Sequence, residues 1–453
     1  MADLFLSVVE GLLRRLTLAL PDPRPRERMA GLGVGLLCGA HPKTITSALE
    51  FNGPATTDWS AAYRLFSQTV WTAEDLFRPV LRAALETNLG PVISAQDDTL
   101  VRKAGRCMPG TAYMRDPLSP PFRVNLVKGQ RFLQTAVMIT PDKEGHPCRA
   151  VPVSFLHAPV LKPPRRATEE EKRAVKETRK RHTISIMARH ELARLRMEID
   201  ATPGGHGRLL INTGDGSFAN RTYLGSLPGR TTAVVRIRKD ASLRQPLPAN
   251  YTGKARKYGE PLPTPEQMLA DESFPLVTSI FLDAGQVHLL RYKVIENVLW
   301  PKATRDTPVR LILIKPLGYR LRKGGKLLYR QPAFLLAAGE LADIETLIRA
   351  YLARWQIEVS FRDEKSILGV GKAQVWNELS IQRAPAFHVA CYSCLLLASI
   401  KCFDDRRTED FEPLSPWRND KMRRPSARDL VRLLRHGIGQ RRREPGGAPA
   451  VAA

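Results

Sequence analysis

Two short apolar segments of this chain end abruptly in acid. PVISAQDD, at 91–98, runs into Asp97 and Asp98, and RLLINTGDGS, at 208–217, runs into Asp215 and a glycine-rich turn. Runs of this length and composition read as β-strands, and an acid at the end of a strand projects from the edge of a sheet. Further β segments follow the first acid, in FRVNLVKGQRFLQTAVMIT and RAVPVSFLHAPV, and then a charged helical stretch over 162–199. After the second acid come a β-rich region and a helix carrying Glu358. This order predicts an α/β protein in which neighbouring strand ends and one helix bring three carboxylates to a single sheet edge. Such a set can hold two divalent cations ~3.5–4 Å apart, which activate one oxygen as nucleophile and stabilise the leaving oxygen of a phosphodiester. Hard oxygen ligands select Mg2+ or Mn2+. The candidate ligands are Asp97 or Asp98, Asp215 and Glu358.

The glutamate segment, YLARWQIEVSFRDEKSILGVG, can be tested on a helical wheel. At about 100° per residue, Tyr351, Arg354, Glu358 and Lys365 share an arc of about 60°. Ile357, Phe361 and Leu368 fall beside it as an apolar stripe suited to docking on a sheet. One helix thus offers a buried stripe next to a polar one, in which Arg and Lys can hold phosphates flanking a cleaved bond while Glu takes metal.

The remaining sequence places this core in context. Residues 1–90 read as helical, and both a small DNA-binding domain and a helical lid fit them. The core runs over 91–226 and resumes over 336–403, with a β-rich insertion at 227–335 between the two parts. Residues 404–453 read as a basic arm, with nine Lys or Arg between Lys421 and Arg443, ending in a disordered Pro/Gly/Ala tip. Lys and Arg number 70 against 45 Asp and Glu, a net charge of +25, which is the electrostatic footprint of a nucleic-acid-binding protein. Six cysteines are too few for a disulfide-stapled secreted scaffold. No apolar run reaches the ~18 residues of a membrane span, and Asp3, Glu10, Arg14 and Arg15 make the first segment an amphipathic helix rather than a signal. A reduced, cytoplasmic setting without membrane partners is expected. Cys391, Cys394 and His388 lie in an apolar helix and read as core residues, not zinc ligands.

Tyr351-x2-Arg354-x3-Glu358-x6-Lys365 resembles, with every spacing intact, the Y-R-E-K signature of bacterial insertion-sequence transposases of the DDE type. AQDDTLVRKAG is similar to their first-acid segment and INTGDGSFAN to their second. The resemblance spans roughly Val92 to Leu368. It implies an RNase H-like mixed sheet flanked by helices, interrupted by the β-rich insertion. It also implies Asp97, Asp215 and Glu358 as catalytic acids holding two Mg2+ or Mn2+ ions, with Tyr351, Arg354 and Lys365 on the terminal DNA backbone. Trp300, in the insertion, stands where some members place an aromatic against a flipped base. The implied activity is cleavage at terminal inverted repeats and strand transfer into target double-stranded DNA, by a homodimer bound to DNA near the nucleoid. A decayed, DNA-binding repressor and a metal nuclease of the same fold are the rivals.

Overall fold

The computed structural model describes residues 1–443 other than 54–57, 89, 106–107, 117–118, 121, 141–147, 164–165, 254, 284–285, 323, 341, 374 and 415–423; the tip expected at 444–453 lies outside the described residues. Five helices come first: α1 (Ala2–Leu16), α2 (Pro23–Cys38), α3 (Ile45–Asn52), α4 (Trp59–Ser67) and α5 (Ala73–Glu86). Their starts are written in capping side chains. Thr44 closes a capping box with Ser47, and Thr72 accepts from the Asp75 amide to open α5. α2 and α3 cross so closely that a Cβ on Gly35 would lie 2.4 Å from the Ala48 carbonyl oxygen, which only glycine permits.

The core strands are β1 (Val92–Arg102), β2 (Ala112–Arg115), β3 (Leu126–Ile139) and β4 (Arg149–His157). The charged stretch that follows is a helix pair, α6 (Glu169–Arg181) and α7 (Ile184–Asp200). α6 is opened by a Thr168–Glu171 capping box and buries nothing, whereas α7 buries Ala188, Leu192, Leu195 and Ile199 on one face. Then come β5 (Leu210–Gly214), the short α8 (Arg221–Leu224) and β6 (Thr231–Arg236). β1, β3 and β4 are successively antiparallel, while β5 runs parallel to β1 and β6 parallel to β5. This is a mixed sheet of RNase H-like order.

The stretch read as an insertion contains α9 (Pro265–Ala270), β7 (Val277–Asp283), β8 (Gln286–Leu299), β9 (Pro308–Ile314), β10 (Gly318–Arg320), β11 (Leu327–Tyr329) and β12 (Ala333–Gly339). It is not a separate module. β6 itself belongs to the core, and β12 pairs antiparallel with it, so the sheet continues through β12, β9, β8 and β7 to ten strands. The strands are buried on both faces, Ile312, Leu335 and Ala337 joining Ile211 and Val234 on one and Leu311, Leu313 and Leu336 joining the main core on the other, and each strand's edge groups are satisfied by its neighbour. Only β10 and β11 form a ribbon of their own.

Four helices complete the chain: α10 (Ile344–Ala353), α11 (Trp355–Ser366), α12 (Ser380–Phe403) and α13 (Ala427–Arg443). α12 is the one helix among the described residues long and apolar enough to cross a membrane, and 83% of its apolar window is buried inside the protein. It packs on α1, α2, α5 and β4, with Phe387 against Phe66 and Phe403 against Phe5. The first 90 residues therefore share one continuous core with the sheet and with α12.

The expected basic arm is also corrected. Leu430, Val431, Leu433, Leu434 and Ile438 recur at helical spacing and are buried on α13, which packs on α1. Arg441 pairs with Asp3 and Glu10 of that helix. The segment before α13 is held by a buried ion pair, Arg149 on β4 with Asp405, closed by two hydrogen bonds of 2.8 and 2.6 Å. The Ser399 hydroxyl donates to Asp405 and Arg149 donates to the Pro425 carbonyl. Removing one partner leaves an uncompensated buried charge. Asp405→Ala is expected to destabilise the protein by about 3–5 kcal/mol, measured as a lower urea midpoint; a midpoint within error of the wild type would contradict this account.

Candidate active site

β1 alternates between two environments. Ser94, Gln96 and Asp98 face α7, where Gln96 donates to the Ala188 carbonyl at 2.9 Å. Ala95, Asp97 and Thr99 face the α10–α11 side, where Ala95 packs with Ile357 and Phe361. The two neighbouring acids thus part company. Asp98 sits on the α7 face, where the positive charge of Arg131 partly offsets the upward push of burial on its carboxyl. Asp97 turns toward α11.

The second acid is brought alongside by register. Val92 pairs with Leu210 and Ala95 with Thr213 in the parallel ladder of β1 and β5, and the same offset carried two residues on sets Asp97 beside Asp215. A buried hydrogen-bond network fixes this register. Ser94 donates to Asn212 Oδ1 at 2.7 Å, Asn212 donates to Gln96 Oε1 at 3.2 Å, and the Tyr223 hydroxyl donates to the same oxygen at 2.7 Å. Beyond β5 the chain turns at once, because Asp215 Oδ1 accepts from the Ser217 amide at 2.9 Å and from its hydroxyl at 2.5 Å.

α10 and α11 deliver the remaining residues. The single helix expected from the wheel is two, joined at Arg354 by three-residue hydrogen bonds: Arg354 N–H to the Tyr351 carbonyl and Ile357 N–H to the Arg354 carbonyl. These bonds tighten the turn locally but keep the polar residues on the side facing β1. Ile357 and Phe361 dock on Ala95, Ala136, Met138 and Ala150, whereas Leu368, past the helix end, joins the main core instead.

Arg354 Nη1 donates to Asp97 Oδ2 at 2.9 Å, and its Nη2 lies 3.7 Å from Glu358 Oε1. Its guanidinium stands 5.9 Å from the centre of the Tyr351 ring. Lys365 donates to the Thr99 hydroxyl at 2.6 Å, one residue pair further along the same face of β1. Lys103, at the end of β1, donates to the carbonyls of Gly371 and Ala373 and so fixes the chain leaving α11.

The electrostatics record three acids converging. Burial pushes the Asp97 carboxyl up to about 7 despite the neighbouring Arg354, and the negative charges of Asp215, Glu358 and Asp98 push in the same direction. Among the described residues no three His, Cys, Asp or Glu side chains stand close enough together to hold a metal ion as they are. The donor set nonetheless suits a hard divalent cation: all three groups are carboxylates, and their mutual repulsion is what a cation would relieve.

The family described as DDE superfamily endonuclease matches residues 19–307, a span that includes both Asp97 and Asp215. The chain belongs to this superfamily. DDE superfamily enzymes act on DNA and generally use divalent metal ions. The matched span ends before α10, so the placement of Glu358 rests on the geometry alone. No curated protein matches the chain.

Several features of this DDE site lay outside the sequence reading. Gln134 is opposite Asp97 on β3, an adjacency that only strand register creates. A cavity of about 690 Å3 opens beside Gly216, lined by Arg236, Arg238, Lys239 and Lys302 with Trp300 and Phe334 as apolar wall. Trp300 is only 9% exposed and belongs to the core, so it is a wall of that cavity and not a protruding wedge. The alternating basic residues of TTAVVRIRKD were the available signal for it.

Glu364 is 1% exposed on α11. Burial raises its carboxyl to about 8, opposed by the Gln134 amide and Lys365. A carboxyl raised above its ordinary 4.5 holds a proton in the folded state and releases it on unfolding, so its stabilising effect is present at low pH and is lost as pH rises through about 8. Glu364→Gln, neutral throughout, should gain thermal stability relative to the wild type between about pH 5 and pH 8. Melting curves that run parallel across that range would contradict a protonated Glu364.

Proposed function

We propose that this DDE enzyme is a transposase that cuts DNA at element termini and joins the freed end to target DNA. The observations that support this reading are the register that sets Asp97 beside Asp215 and the Arg354 guanidinium that links Asp97 to Glu358, with Lys365 further along the same face of β1. In this reading the three carboxylates hold two Mg2+ or Mn2+ ions. The chemistry supplied by such a pair is activation of an oxygen nucleophile and stabilisation of the leaving oxygen.

The chain's own residues do the rest. Arg354 offers a planar fork to a backbone phosphate and Lys365, about three turns on, a point charge to another, while Tyr351 flanks the Arg354 guanidinium. Together they align the phosphodiester with the acids, so that first a water and then the freed 3′ hydroxyl attack in line. The acids are ligands and not nucleophiles, so no covalent protein–DNA bond forms. The cavity walled by Trp300, where Arg238 and Lys239 pair with Asp240 and Glu266 and Arg236 and Lys302 remain as further cations, could receive an unstacked nucleotide. Two protomers pair two ends, a requirement of the joining reaction. The Y-R-E-K spacing on α10 and α11 supports transposase over simple nuclease within the superfamily.

The test uses purified protein, Mg2+ and a plasmid carrying the inverted repeats that flank the gene. Asp97→Asn, Asp215→Asn and Glu358→Gln should each lower cleavage by about 10²–10³-fold, the scale of losing one preorganised electrostatic element, while still binding DNA. Cleavage without joined products would assign a nuclease, and undiminished cleavage by the variants would remove the acids from the mechanism. Lys365→Ala should weaken binding to all sequences and lower the slope of log affinity against log salt by about 1, measured by fluorescence anisotropy.

A further inference from the structure

Arg354 has two partners it cannot hold at once. Under the reading just given, its guanidinium grips a DNA phosphate; in the structure it donates to Asp97 Oδ2 at 2.9 Å and lies 3.7 Å from Glu358. One cationic group thus touches two of the three acids, from a side chain only 15% exposed. Asp97 is itself only 14% exposed, and Arg354 is its ion-pair partner among the described residues. Lys365, the other cation on this face, is engaged with Thr99.

A divalent cation ligated by Asp97 and Glu358 would meet the guanidinium on the same oxygens, and two cations sharing one carboxylate in a poorly solvated site repel strongly. A phosphodiester offers the planar fork an alternative bidentate partner. We propose that Arg354 is a positioning residue that guards the carboxylates against divalent cations until a DNA phosphate draws its guanidinium away. DNA binding and cation binding then assist one another, and by linkage the assistance is mutual and equal in free energy. The enzyme would assemble its cation site only on DNA, which keeps a metal-dependent cutter idle elsewhere.

This inference rests on the acids being the cation site, and one experiment separates the two claims. Mn2+ binding to the full chain is measured by isothermal titration calorimetry and by loss of the free-ion EPR signal, with and without a DNA duplex ending in the flanking inverted repeat. Wild type should bind Mn2+ weakly alone and about tenfold more tightly with the duplex, within the usual range of coupling between two sites. Arg354→Gln should bind Mn2+ about tenfold more tightly than wild type in the absence of DNA and gain little from the duplex. Arg354→Met provides the same test should the glutamine variant not fold. Equal Mn2+ affinity of wild type and Arg354 variants without DNA overturns the guard. Unchanged Mn2+ binding by Asp97→Asn would instead overturn the assignment of the site itself.

Discussion

The site depends on the register between β1 and β5. These strands are parallel and adjacent, and their pairing is what sets Asp97 beside Asp215. A slip of one residue would turn every side chain of β1 to the opposite face, sending Asp97 to α7 and Asp98 to α11. Apolar side chains alone specify this weakly, because strands covered on both faces present similar surfaces either way. The polar cluster of Ser94, Gln96, Asn212 and Tyr223 does specify it. Each member is buried, and a buried polar group left without its partner costs about 1–3 kcal/mol, so only one register satisfies the set. Asp97, midway along β1 rather than at its end as the sequence suggested, and Asp215, just past the end of β5, are aligned by four neutral residues beneath them.

The third acid reaches the edge by a different route. Glu358 stands on α11, which is fixed to the sheet through Ile357 and Phe361 and from behind by the segment leading into α13. Arg424 donates to Gln356 on α11 and to the Cys148 carbonyl next to β4, close to the buried pair of Arg149 and Asp405. The helix bearing the reactive stripe is therefore clamped from both sides. Its one irregularity is at Arg354, where the turn tightens and the guanidinium crosses to Asp97. Positional rigidity is what a carboxylate constellation requires, since misplacement by about an ångström loses much of its value.

Much of this was legible in the sequence where the signal is local. The acids of AQDD and INTGDG, the phase of Tyr351, Arg354, Glu358 and Lys365, and the charged helical stretch over 162–199 all follow from periodicity and end signals within a few residues. What was not legible depends on pairing between distant segments. The stretch 227–335 read as an insertion because nothing in its composition says that β6 belongs to the core sheet or that β12 joins it. The segment 427–443 looked like an arm because its arginines outweigh an apolar stripe that is plain only once α1 is seen to receive it. The salt bridge from Arg354 to Asp97 spans 257 residues, and neither residue's neighbours announce it. A helical wheel shows which way Arg354 points, but not what stands there.

The packing of α13 on α1 has a consequence for how the protein comes into being. The two helices lie at opposite ends of the described chain, and α1 buries Phe5, Leu6, Val9 and Leu13 in a layer that α12 and α13 complete. While the chain emerges from the ribosome, that apolar layer stays incomplete until α13 is released, whereas Asp405 and Arg424, which brace α11, come shortly before it. A chain interrupted before Asp405 would present both acid-bearing strands without Arg149's buried partner and without Arg424, the contacts that steady α11 behind Glu358.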